Sequence, residues 1–390
     1  MSAANWQGLM RAEMLDGAAR AAEMVTDGHP DKFCDQVADA ILDEALRQDP
    51  FSRVAIECLA KDNLLIIAGE VSTRGSIDYQ AIGRHVWQDA VGYGPGDELA
   101  VLVHVTPQSE DIAQGGRTDA DGGVDFGGAG DQGVMVGYAT SETPEMLPEE
   151  YVLARALCQK LKQLRQGGGI PWLRPDGKSQ ITMTGGQVTS VVLAAHHSSV
   201  ISTAEVRETL RAHVVDPVVA HRLAPGARVV INGTGAFRIG GPRGDAGVVG
   251  RKIVVDAYGP RVPVGGGAYS GKDPSKVDRS AAYMARHIAK SVVANGMAEE
   301  CLVTMAFGIG QKQPEMLNVL TPDGNTGEAA RWVREQFRDL RPEAIIEYLG
   351  LRQPRGWSYS SAAAFGHYGR NEFPWERVAR AQMEKPACGL

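Results

Sequence analysis

Apolar residues recur about once per helical turn in three segments that each open with a proline. The segments are Pro30–Arg47, Pro148–Arg165 and Pro274–Asn295. Their inward-facing positions are Phe33, Val37, Ile41 and Ala45, then Val152, Leu157 and Leu161, then Val277, Ala281, Met284, Ile288 and Val292. Proline suits the first position of a helix, and a glycine, Gly296, follows the third segment. The pattern predicts three amphipathic helices.

Each predicted helix is followed by two strand-like runs and by a further helical pattern. The strand-like runs occupy residues 53–60 and 63–72, 179–185 and 189–197, and 302–310 and 316–321. The further helices are predicted at Ile77–Val91, Thr203–Val215 and Glu328–Leu349. This repeat predicts three similar α+β units, each a sheet with helices on one face. Such sheets would pack their helices together or bury their open faces against a partner subunit.

Glycine-rich stretches lie between these units, at residues 113–130, 240–250 and 259–271. The first of them is long, polar and without a periodic pattern. Long structureless loops inside ordered domains are usually functional. The stretch is therefore either a mobile lid over a site or a plain connector, and the residues alone leave both interpretations open.

Composition and charge exclude several classes of protein. The chain has 390 residues, of which 43% are hydrophobic and 22% charged, which is typical of an ordered globular protein. A net charge of −7 argues against nucleic-acid binding through a global basic field. The five cysteines include no CxxC pair, which argues against a disulfide framework or zinc ribbon. No apolar run approaches a membrane span or a signal-peptide core, so we expect a cytoplasmic protein.

Two glycine motifs resemble nucleotide-binding loops, but their contexts argue against that role. Gly128–Gly133 matches GxGxxG, yet the run VMVGYA that follows predicts a strand where a dinucleotide site requires a helix. Gly266–Lys272 nearly matches the Walker A loop, yet Asp273 replaces the hydroxyl residue that binds magnesium. Glycines and a lysine ahead of a helix N-terminus nevertheless suit a phosphate group.

Chemically informative residues cluster at the start of two of the predicted helices. The motif GHPDK, at Gly28–Lys32, opens the first helix, where free N–H groups and the helix dipole favour an anion. Its Asp31 is a hard oxygen ligand suited to magnesium, while Lys32 could face either phosphate or solvent. The segment Asp273–Asp278 opens the third helix in the same manner.

Basic and acidic residues alternate in turns rich in glycine, proline and aspartate. The bases are Lys178, Arg251, Lys252, Lys272 and Lys276, and the acids are Asp31, Asp131, Asp176, Asp245 and Asp278. Singly, each lysine is as a rule a solvated surface charge. Together, in an acidic chain, the set suits a polyphosphate with metal ions, because carboxylates hold metal and cations hold phosphate oxygens.

Five motifs in a fixed order carry a resemblance to a known family. They are GHPDK, GAGDQG, PWLRPDGKSQ, GGPRGDAG followed by GRK, and GGGAYSGKDPSKVDRSAAY. Together they resemble the methionine adenosyltransferases, also called S-adenosylmethionine synthetases, from about Glu23 to Glu376. The resemblance implies three intertwined α+β domains with pseudo-threefold symmetry, which agrees with the repeat above. The domains implied span residues 18–118, 129–238 and 240–380.

The resemblance also implies roles for individual residues. The ATP-binding positions are His29, Asp176, Lys178, Ala236, Phe237, Asp245, Arg251, Lys252, Ala268 and Lys272, and those with catalytic roles are His29, Lys178, Arg251 and Lys272. The methionine-binding positions are Glu70, Gln108, Asp131, Asp245 and Lys276. Asp31 and Asp278 correspond to magnesium ligands, with two ions per site, and Glu57 to a ligand of one potassium ion per subunit. Residues 108–118 resemble a mobile loop that gates the site.

The implied reaction forms S-adenosylmethionine from ATP and L-methionine. The methionine sulfur attacks C5′ of ATP, and the tripolyphosphate that leaves is hydrolysed to phosphate and diphosphate. Because a thioether loses no proton, the chemistry needs alignment and charge stabilisation rather than a general base. The family implies an obligate homodimer with shared active sites, often paired into a homotetramer. A catalytically weak regulatory relative that binds nucleotide, or an unrelated ATPase, remains as an alternative.

Several positions depart from the usual pattern of the family. The N-terminus is longer, Asp27 replaces the commoner glutamate, and Glu110 stands where proline is common. Ala236 replaces an arginine that many members have, which puts one ATP contact in doubt. None of these changes removes a residue assigned to the chemistry.

Overall fold

The computed structural model describes residues 18–93, 98–108, 128–322 and 325–381. In chain order its strands are β1 (Arg20–Val25), β2 (Arg53–Lys61), β3 (Leu64–Ser72), β4 (Ala100–Thr106), β5 (Gly133–Thr140), β6 (Leu173–Thr184), β7 (Gln187–His197), β8 (Leu223–Ile231), β9 (Gly247–Val248), β10 (Glu300–Phe307) and β11 (Met316–Leu320). Its helices are α1 (Pro30–Gln48), α2 (Tyr79–His85), α3 (Glu149–Gln166), α4 (Thr203–Leu210), α5 (Asp216–Val219), α6 (Ile253–Asp256), α7 (Val277–Ala294), α8 (Thr326–Gln336), α9 (Pro342–Leu349) and α10 (Tyr359–Ala362). Wider π-helical turns at Val86–Val91 and Arg211–Val215 extend α2 and α4.

The strands of the described residues form three sheets with a common plan. The first sheet has the order β9-β2-β3-β4 and the second β1-β6-β7-β8. In both, a central hairpin has an antiparallel strand on one side and a parallel strand on the other. The third sheet, β5-β10-β11, repeats the hairpin and its antiparallel neighbour. The prediction of an α+β fold built from three similar units is confirmed.

Tight turns set the register of two of the hairpins. Strands β6 and β7 are joined at Gly185 and Gly186, whose φ angles are 55° and 73°. Two successive residues with positive φ match the right-handed twist of the flanking strands. The turn between β2 and β3 has one residue with positive φ, Asp62, at 53°.

In every sheet, the outer antiparallel strand comes from a distant part of the chain. Strand β1 pairs with β6, β5 pairs with β10, and β9 pairs with β2. The first of the three predicted domains therefore gives a strand to the sheet of the second, the second to that of the third, and the third to that of the first. The domain limits expected from the sequence, 18–118, 129–238 and 240–380, remain a prediction, since each sheet crosses them.

A long helix packs on each sheet and supplies its core. Helix α1 packs on β2, α3 on β1 and β6, and α7 on β5 and β10. The predicted apolar stripe of α1 is fully buried at Phe33, Val37 and Ile41. Helix α7 lies so close to β5 that a Cβ added at Gly137 would be 2.0 Å from the Ala285 carbonyl carbon. Only glycine allows this approach.

The C-terminal segment closes over α7 with aromatic and charged contacts. The rings of Tyr283 and Trp375 stack with centroids 3.7 Å apart. Beside them, the Glu376 carboxylate accepts hydrogen bonds from Arg286 at 3.0 and 2.9 Å and from Lys290 at 2.8 Å. These three charged side chains are almost completely buried, so their charges are compensated by one another rather than by water, while the Arg286 guanidinium also donates to three backbone carbonyls.

Two predicted elements differ from the structure. The single helix expected at Glu328–Leu349 is wrong, because the chain forms α8 and α9 with a break before Pro342. Proline has no N–H to continue a helix, but it is well suited to begin one. The third long helix begins at Val277 instead of Pro274, because the Asp273 carboxylate and carbonyl accept hydrogen bonds from Ser275 and Lys276 in a separate turn.

The GxGxxG motif lies in the structural context that the sequence predicts. Strand β5 follows the GxGxxG motif, as predicted, so the motif lacks the helix that a dinucleotide site requires. Within the ranges described above, no helix combines the length and apolar character needed to cross a membrane.

Candidate active site

The first charged group of side chains forms at the start of α1. His29 is the N-cap residue, and its Nδ1 accepts a hydrogen bond from the Asp31 amide at 3.2 Å. Asp31 Oδ2 pairs with Lys252 Nζ at 2.5 Å, and Asp31 Oδ1 accepts from the Val248 amide at 2.9 Å. The Arg251 guanidinium lies 3.7 Å from the same carboxylate. The helix start thus holds two predicted phosphate-binding cations around one predicted metal ligand.

Burial and the neighbouring charges set the protonation of this group. Burial, with help from Lys252, lowers the pKa of His29 to about 4, so the ring is neutral at pH 7. Because Nδ1 accepts a hydrogen bond, Nε2 carries the proton and can donate one. Burial alone would raise the pKa of Asp31, but hydrogen bonds from Lys252 and Val248 bring it below its usual value. Asp31 is therefore ionised at neutral pH.

Strand β6 brings Asp176 and Lys178 to the same place. Lys178 lies opposite Val25 of β1, just before the GHPDK turn, and its Nζ is 2.6 Å from Glu23 Oε2. Asp176 is buried, and its Oδ2 accepts a hydrogen bond from the Gly241 amide at 2.7 Å. Burial raises the pKa of Asp176 to about 6. The carboxylate thus anchors the turn that leads to the next predicted site residue.

The loop after β8 contributes Phe237 and its neighbours. The Phe237 amide donates to His197 Nε2 at 3.1 Å, and the His197 amide donates to the Phe237 carbonyl at 2.9 Å. The ring is half-buried beside His196, with centroids 5.4 Å apart. Ala236 is exposed and brings only a methyl group, so a side-chain hydrogen bond to ATP is absent at this position. Asp245 is exposed, and its carboxylate accepts from the amide that follows it.

A second charged group lies where α7 begins. Lys272 Nζ pairs with Asp278 Oδ2 at 2.5 Å, and Lys276 pairs with Asp273. Asp273 Oδ2 also accepts a hydrogen bond from the Val54 amide at 2.7 Å. This bond ties the turn to strand β2 of the first sheet. Lys272 is a predicted polyphosphate contact and Lys276 a predicted methionine contact. Both therefore lie beside the sheet whose strand β3 carries Glu70, another predicted methionine contact.

Strands β2 and β3 present two carboxylates beside this second group. Burial raises the pKa of Glu57; the ammonium of Lys272 opposes this rise, while the carboxylates of Asp35 and Glu70 add to it. Glu70 lies on the neighbouring strand, opposite Ala55. An excess of carboxylates of this kind is relieved by a bound cation, so Glu57 fits the expected potassium site.

The remaining predicted residues flank the two groups. Asp131 is exposed just before β5, whose first residue, Gly133, lies against the Asp278 carboxylate. Gln108 follows the end of β4, and its backbone amide donates a hydrogen bond to Oγ of Ser72, the last residue of β3, at 3.1 Å. The predicted gating loop continues to residue 118, and its residues 109–118 lie outside the described residues.

The two charged groups are neighbours within one chain but remain separate clusters of side chains. Ala268, from the second group, lies directly against Gly250, which precedes the cations of the first group. Among the described residues, no ion pair joins the charged side chains of one group to those of the other. Each group therefore combines one predicted magnesium ligand with its own cations.

One sequence-based expectation about this region was wrong, and one feature was missed. Lys32 faces neither phosphate nor solvent: it is buried, and its Nζ bonds to Asp35 at 2.8 Å and to Asp256 at 2.5 Å. The lysine therefore belongs to the scaffold. The partner of Lys178, Glu23, was also missed, since nothing in its sequence context marks it.

The donor set fits magnesium ions that bind together with phosphate. The described residues contain no cluster of three or more His, Cys, Asp or Glu side chains that could hold a metal ion. Magnesium usually takes one or two carboxylates and completes its shell with water and substrate phosphates. Asp31 and Asp278 each meet that requirement, and their pairing with lysine ammonium groups demonstrates that both attract a cation.

Comparison with known proteins covers nearly the whole chain. Three family models match consecutive parts of it: the N-terminal domain of S-adenosylmethionine synthetase at residues 18–110, the central domain at 127–237 and the C-terminal domain at 239–377. The S-adenosylmethionine synthase of Chlorobium phaeobacteroides (strain DSM 266 / SMG 266 / 2430) is 43% identical over 395 residues, which cover 95% of this chain and 98% of that protein.

Proposed function

Because the chain belongs to the S-adenosylmethionine synthetase family and is a methionine adenosyltransferase, we propose that its two charged groups together bind ATP and L-methionine. The observation that carries this assignment is a repeated pairing: Asp31 with Lys252 in the first group and Asp278 with Lys272 in the second. Each pair supplies a carboxylate for magnesium and a cation for phosphate oxygens. The two groups come from two copies of the chain, so that each site is completed across a dimer interface.

The first group is assigned to the ribose and the polyphosphate. The neutral ring of His29 donates from Nε2 to O5′ of ATP, where negative charge grows as the C5′–O5′ bond breaks. Lys178, Arg251 and Lys252 bind the phosphate oxygens, Asp176 and Asp245 contact the nucleotide, and Phe237 stacks on the adenine. One preorganised donor at a site of developing charge contributes on the order of 3 kcal/mol to transition-state stabilisation.

The second group is assigned to methionine and to the far end of the polyphosphate. Glu70, Gln108, Asp131 and Lys276 hold the amino acid, with Asp245 touching both substrates, and Lys272 and Ala268 contact the ATP. The methionine sulfur needs no base, since it loses no proton when it attacks C5′. Alignment of the sulfur, C5′ and O5′ in one line therefore supplies a large part of the rate enhancement.

The proposal includes two magnesium ions per site, bound by Asp31 and Asp278, and one potassium ion per subunit near Glu57. Magnesium, when bound, neutralises part of the charge on the leaving tripolyphosphate. The same cations then hold the tripolyphosphate while it is hydrolysed to phosphate and diphosphate. The site contains more basic residues than one phosphate group requires, because the same residues serve both S-adenosylmethionine formation and tripolyphosphate hydrolysis.

Exposed apolar side chains on all three sheets support the dimer. Leu102 on β4 is 58% exposed, Val134 on β5 is 49% exposed and Val192 on β7 is 36% exposed. Apolar positions left open on several sheets of one molecule are typical of a surface that another subunit covers. Pairing of dimers into a tetramer, and a cytoplasmic location, complete the proposal. In the described part of the chain, four buried thiols form no disulfide, which supports a reducing compartment.

We expect activity to depend on both kinds of metal ion. With ATP, L-methionine, Mg²⁺ and K⁺, mass spectrometry should find S-adenosylmethionine, with phosphate and diphosphate in equal amounts. Omission of Mg²⁺ should abolish turnover, because Asp31 and Asp278 then hold no divalent cation that can neutralise the phosphate charge. Omission of K⁺ should slow turnover. Binding of ATP without any product under the full conditions would contradict the assignment and favour a regulatory relative.

Leu102→Asp is expected to separate the subunits and to lower kcat at least tenfold, since each site needs both copies. Light scattering after gel filtration measures the mass, and the same activity assay measures turnover. Val200→Asp is the matched control, because Val200 is 85% exposed in a turn outside the sheets. A monomeric Leu102→Asp variant with full activity would exclude shared sites.

A further inference from the structure

Helix α1 carries a line of four carboxylates opposite its apolar stripe. Asp31, Asp35, Asp39 and Asp43 are spaced by four residues and therefore lie along one side of the helix. Each of them accepts a hydrogen bond from the backbone amide of a different distant residue: Val248, Gly250, Gly271 and Tyr359 respectively. The helix thus fixes segments that lie more than two hundred residues later in the chain. Asp31 belongs to the substrate site, but Asp35 and Asp39 have no such role.

Asp35 holds the loop that carries Arg251 and Lys252. It is fully buried, and its Oδ1 accepts a hydrogen bond from the Gly250 amide at 2.8 Å. Gly250 has a φ of 74°, so its amide points at the carboxylate in a conformation that favours glycine. The second carboxylate oxygen of Asp35, Oδ2, accepts a hydrogen bond from Lys32 Nζ at 2.8 Å.

Lys32 extends the same support to the far end of that loop. Its Nζ bonds to Asp256 at 2.5 Å, at the last residue of α6. The segment 250–256 is therefore attached to α1 at both ends, and the two cations lie between the attachments. Two buried side chains, Asp35 and Lys32, therefore fix the backbone that carries Arg251 and Lys252.

Asp39 does the same for the loop that carries Lys272. Its Oδ1 accepts from the Gly271 amide at 2.9 Å, and Gly271 also has a positive φ, 82°. The Arg279 guanidinium binds both oxygens of Asp39, at 2.6 and 2.7 Å, and donates to the Lys272 carbonyl at 3.1 Å. One fully buried ion pair therefore holds the backbone on both sides of Lys272, in addition to the backbone hydrogen bonds that Val54 and Ile56 of β2 make there.

We propose that Asp35 and Asp39 are positioning residues, each of which fixes through one glycine amide the backbone that carries a polyphosphate-binding cation. The inference rests on the proposed function, which assigns Arg251, Lys252 and Lys272 to the polyphosphate. A cation on a long side chain stabilises developing charge only if its backbone is held, and a displacement of about 1 Å can cost up to a hundredfold in rate. The two acids do not touch the substrate; they act through the residues that do.

Asp43 provides an internal comparison on the same helix. Its carboxylate accepts from the Tyr359 amide at 2.7 Å and from the Ser360 amide at 2.9 Å. The start of α10, to which these residues belong, carries none of the residues assigned to ATP, methionine or metal ions. The same substitution at residues 35 and 43 therefore removes a comparable structural bond, while only the first affects the cations.

The test compares Asp35→Asn with Asp43→Asn, using inorganic tripolyphosphate as the probe. A neutral amide offers one oxygen to the two donors that Asp35 satisfies, so the Gly250 bond weakens, while Lys32 keeps Asp256 as its partner. We expect the KM for tripolyphosphate hydrolysis to rise about fivefold or more in Asp35→Asn. In Asp43→Asn it should stay within about twofold of wild type, even if both variants lose similar thermal stability. The KM for methionine in the full reaction should change little in either.

Asp39→Glu repeats the test at the other loop and serves also if Asp35→Asn does not fold. It retains the charge opposite Arg279 but moves the carboxylate by one methylene relative to the Gly271 amide, and the same rise in KM is expected. A tripolyphosphate KM that is unchanged, or that rises equally in Asp43→Asn, would overturn the inference.

Direct substitutions separate this inference from the assignment on which it depends. If Arg251→Ala and Lys272→Ala raise the tripolyphosphate KM while Asp35→Asn and Asp39→Glu do not, the positioning role is wrong and the site assignment stands. If Arg251→Ala and Lys272→Ala leave that KM unchanged, the assignment itself is wrong, and the inference falls with it.

Discussion

Replacement of Lys272 with alanine is expected to lower kcat about a hundredfold. The Lys272 side chain is 26% exposed, and its ammonium lies 2.5 Å from the Asp278 carboxylate, so it is partly shielded from water. In such surroundings a fixed positive charge stabilises a developing negative charge much more than in bulk solvent. The loss should appear in the single-turnover rate of S-adenosylmethionine formation, measured by rapid quench, with a smaller change in the KM for methionine.

Two further variants make this result interpretable. Lys160→Ala is the control, because Lys160 lies on α3 and bonds to Gln163, away from both charged groups. Lys178→Ala should lower kcat to a similar extent as Lys272→Ala, since Lys178 belongs to the other group and serves the same polyphosphate. A single-turnover rate of Lys272→Ala near that of Lys160→Ala would remove this lysine from the polyphosphate site.

Glu376→Gln is expected to lower the free energy of unfolding by about 3–5 kcal/mol. The carboxylate of Glu376 is the partner of both Arg286 and Lys290, and all three side chains are almost completely buried. A neutral amide removes the anionic partner of two buried cations, and the backbone carbonyls that Arg286 retains carry no full charge. This loss costs much more than the loss of an exposed ion pair would. Urea denaturation at pH 7, followed by circular dichroism, measures the loss.

The same ion pairs make a prediction about pH. Burial alone would raise the pKa of Glu376, but Arg286 and Lys290 lower it to about 2. Because the folded protein favours the ionised form, this stabilisation is fully present above the ordinary glutamate pKa near 4.5 and is lost as the pH falls toward 2. The wild type should therefore lose stability in this range more steeply than Glu376→Gln. Glu372→Gln, at a 45% exposed side chain, is the control, and an equal acid response in all three proteins would contradict the prediction.

Local patterns in the sequence predicted the elements that depend on local interactions. The helix at Pro30–Gln48 and the hairpins around Gly185 follow from periodicity and turn chemistry, which act over a few residues. The break before Pro342 also had a local signal, because an internal proline ends a helix, but the apolar pattern on both sides of it obscured that signal. These elements differ from prediction mainly in where they begin and end.

Long-range arrangements had no local signal. Pairing of β1 with β6 joins segments about 150 residues apart, and an apolar run does not specify its partner. The division of the candidate site into two groups had the same cause: motifs identified Asp31 and Asp278 but not which cation would pair with which acid. Lys32 illustrates this, since its burial depends on Asp256, far along the chain.

The acids at residues 35 and 39 were visible in the sequence but had no evident role. Their four-residue spacing from Asp31 places them on one side of the helix, as the apolar stripe lies on the other. An amphipathic pattern predicts that such a polar side faces solvent. The structure buries both sides of α1, and only the position of the distant loops explains why carboxylates occur there.

The cyclic exchange of strands has a consequence for synthesis of the protein. A chain made from its N-terminus usually completes its domains one after another. Here the first sheet lacks β9 until residue 248 has been made, and β5 has no partner until β10 follows some 160 residues later. The nascent chain therefore emerges from the ribosome with unpaired strand edges that only the predicted C-terminal domain, from residue 240 onward, can cover. Chaperones that shield such edges during translation would thus matter more for this fold than for a row of independent domains.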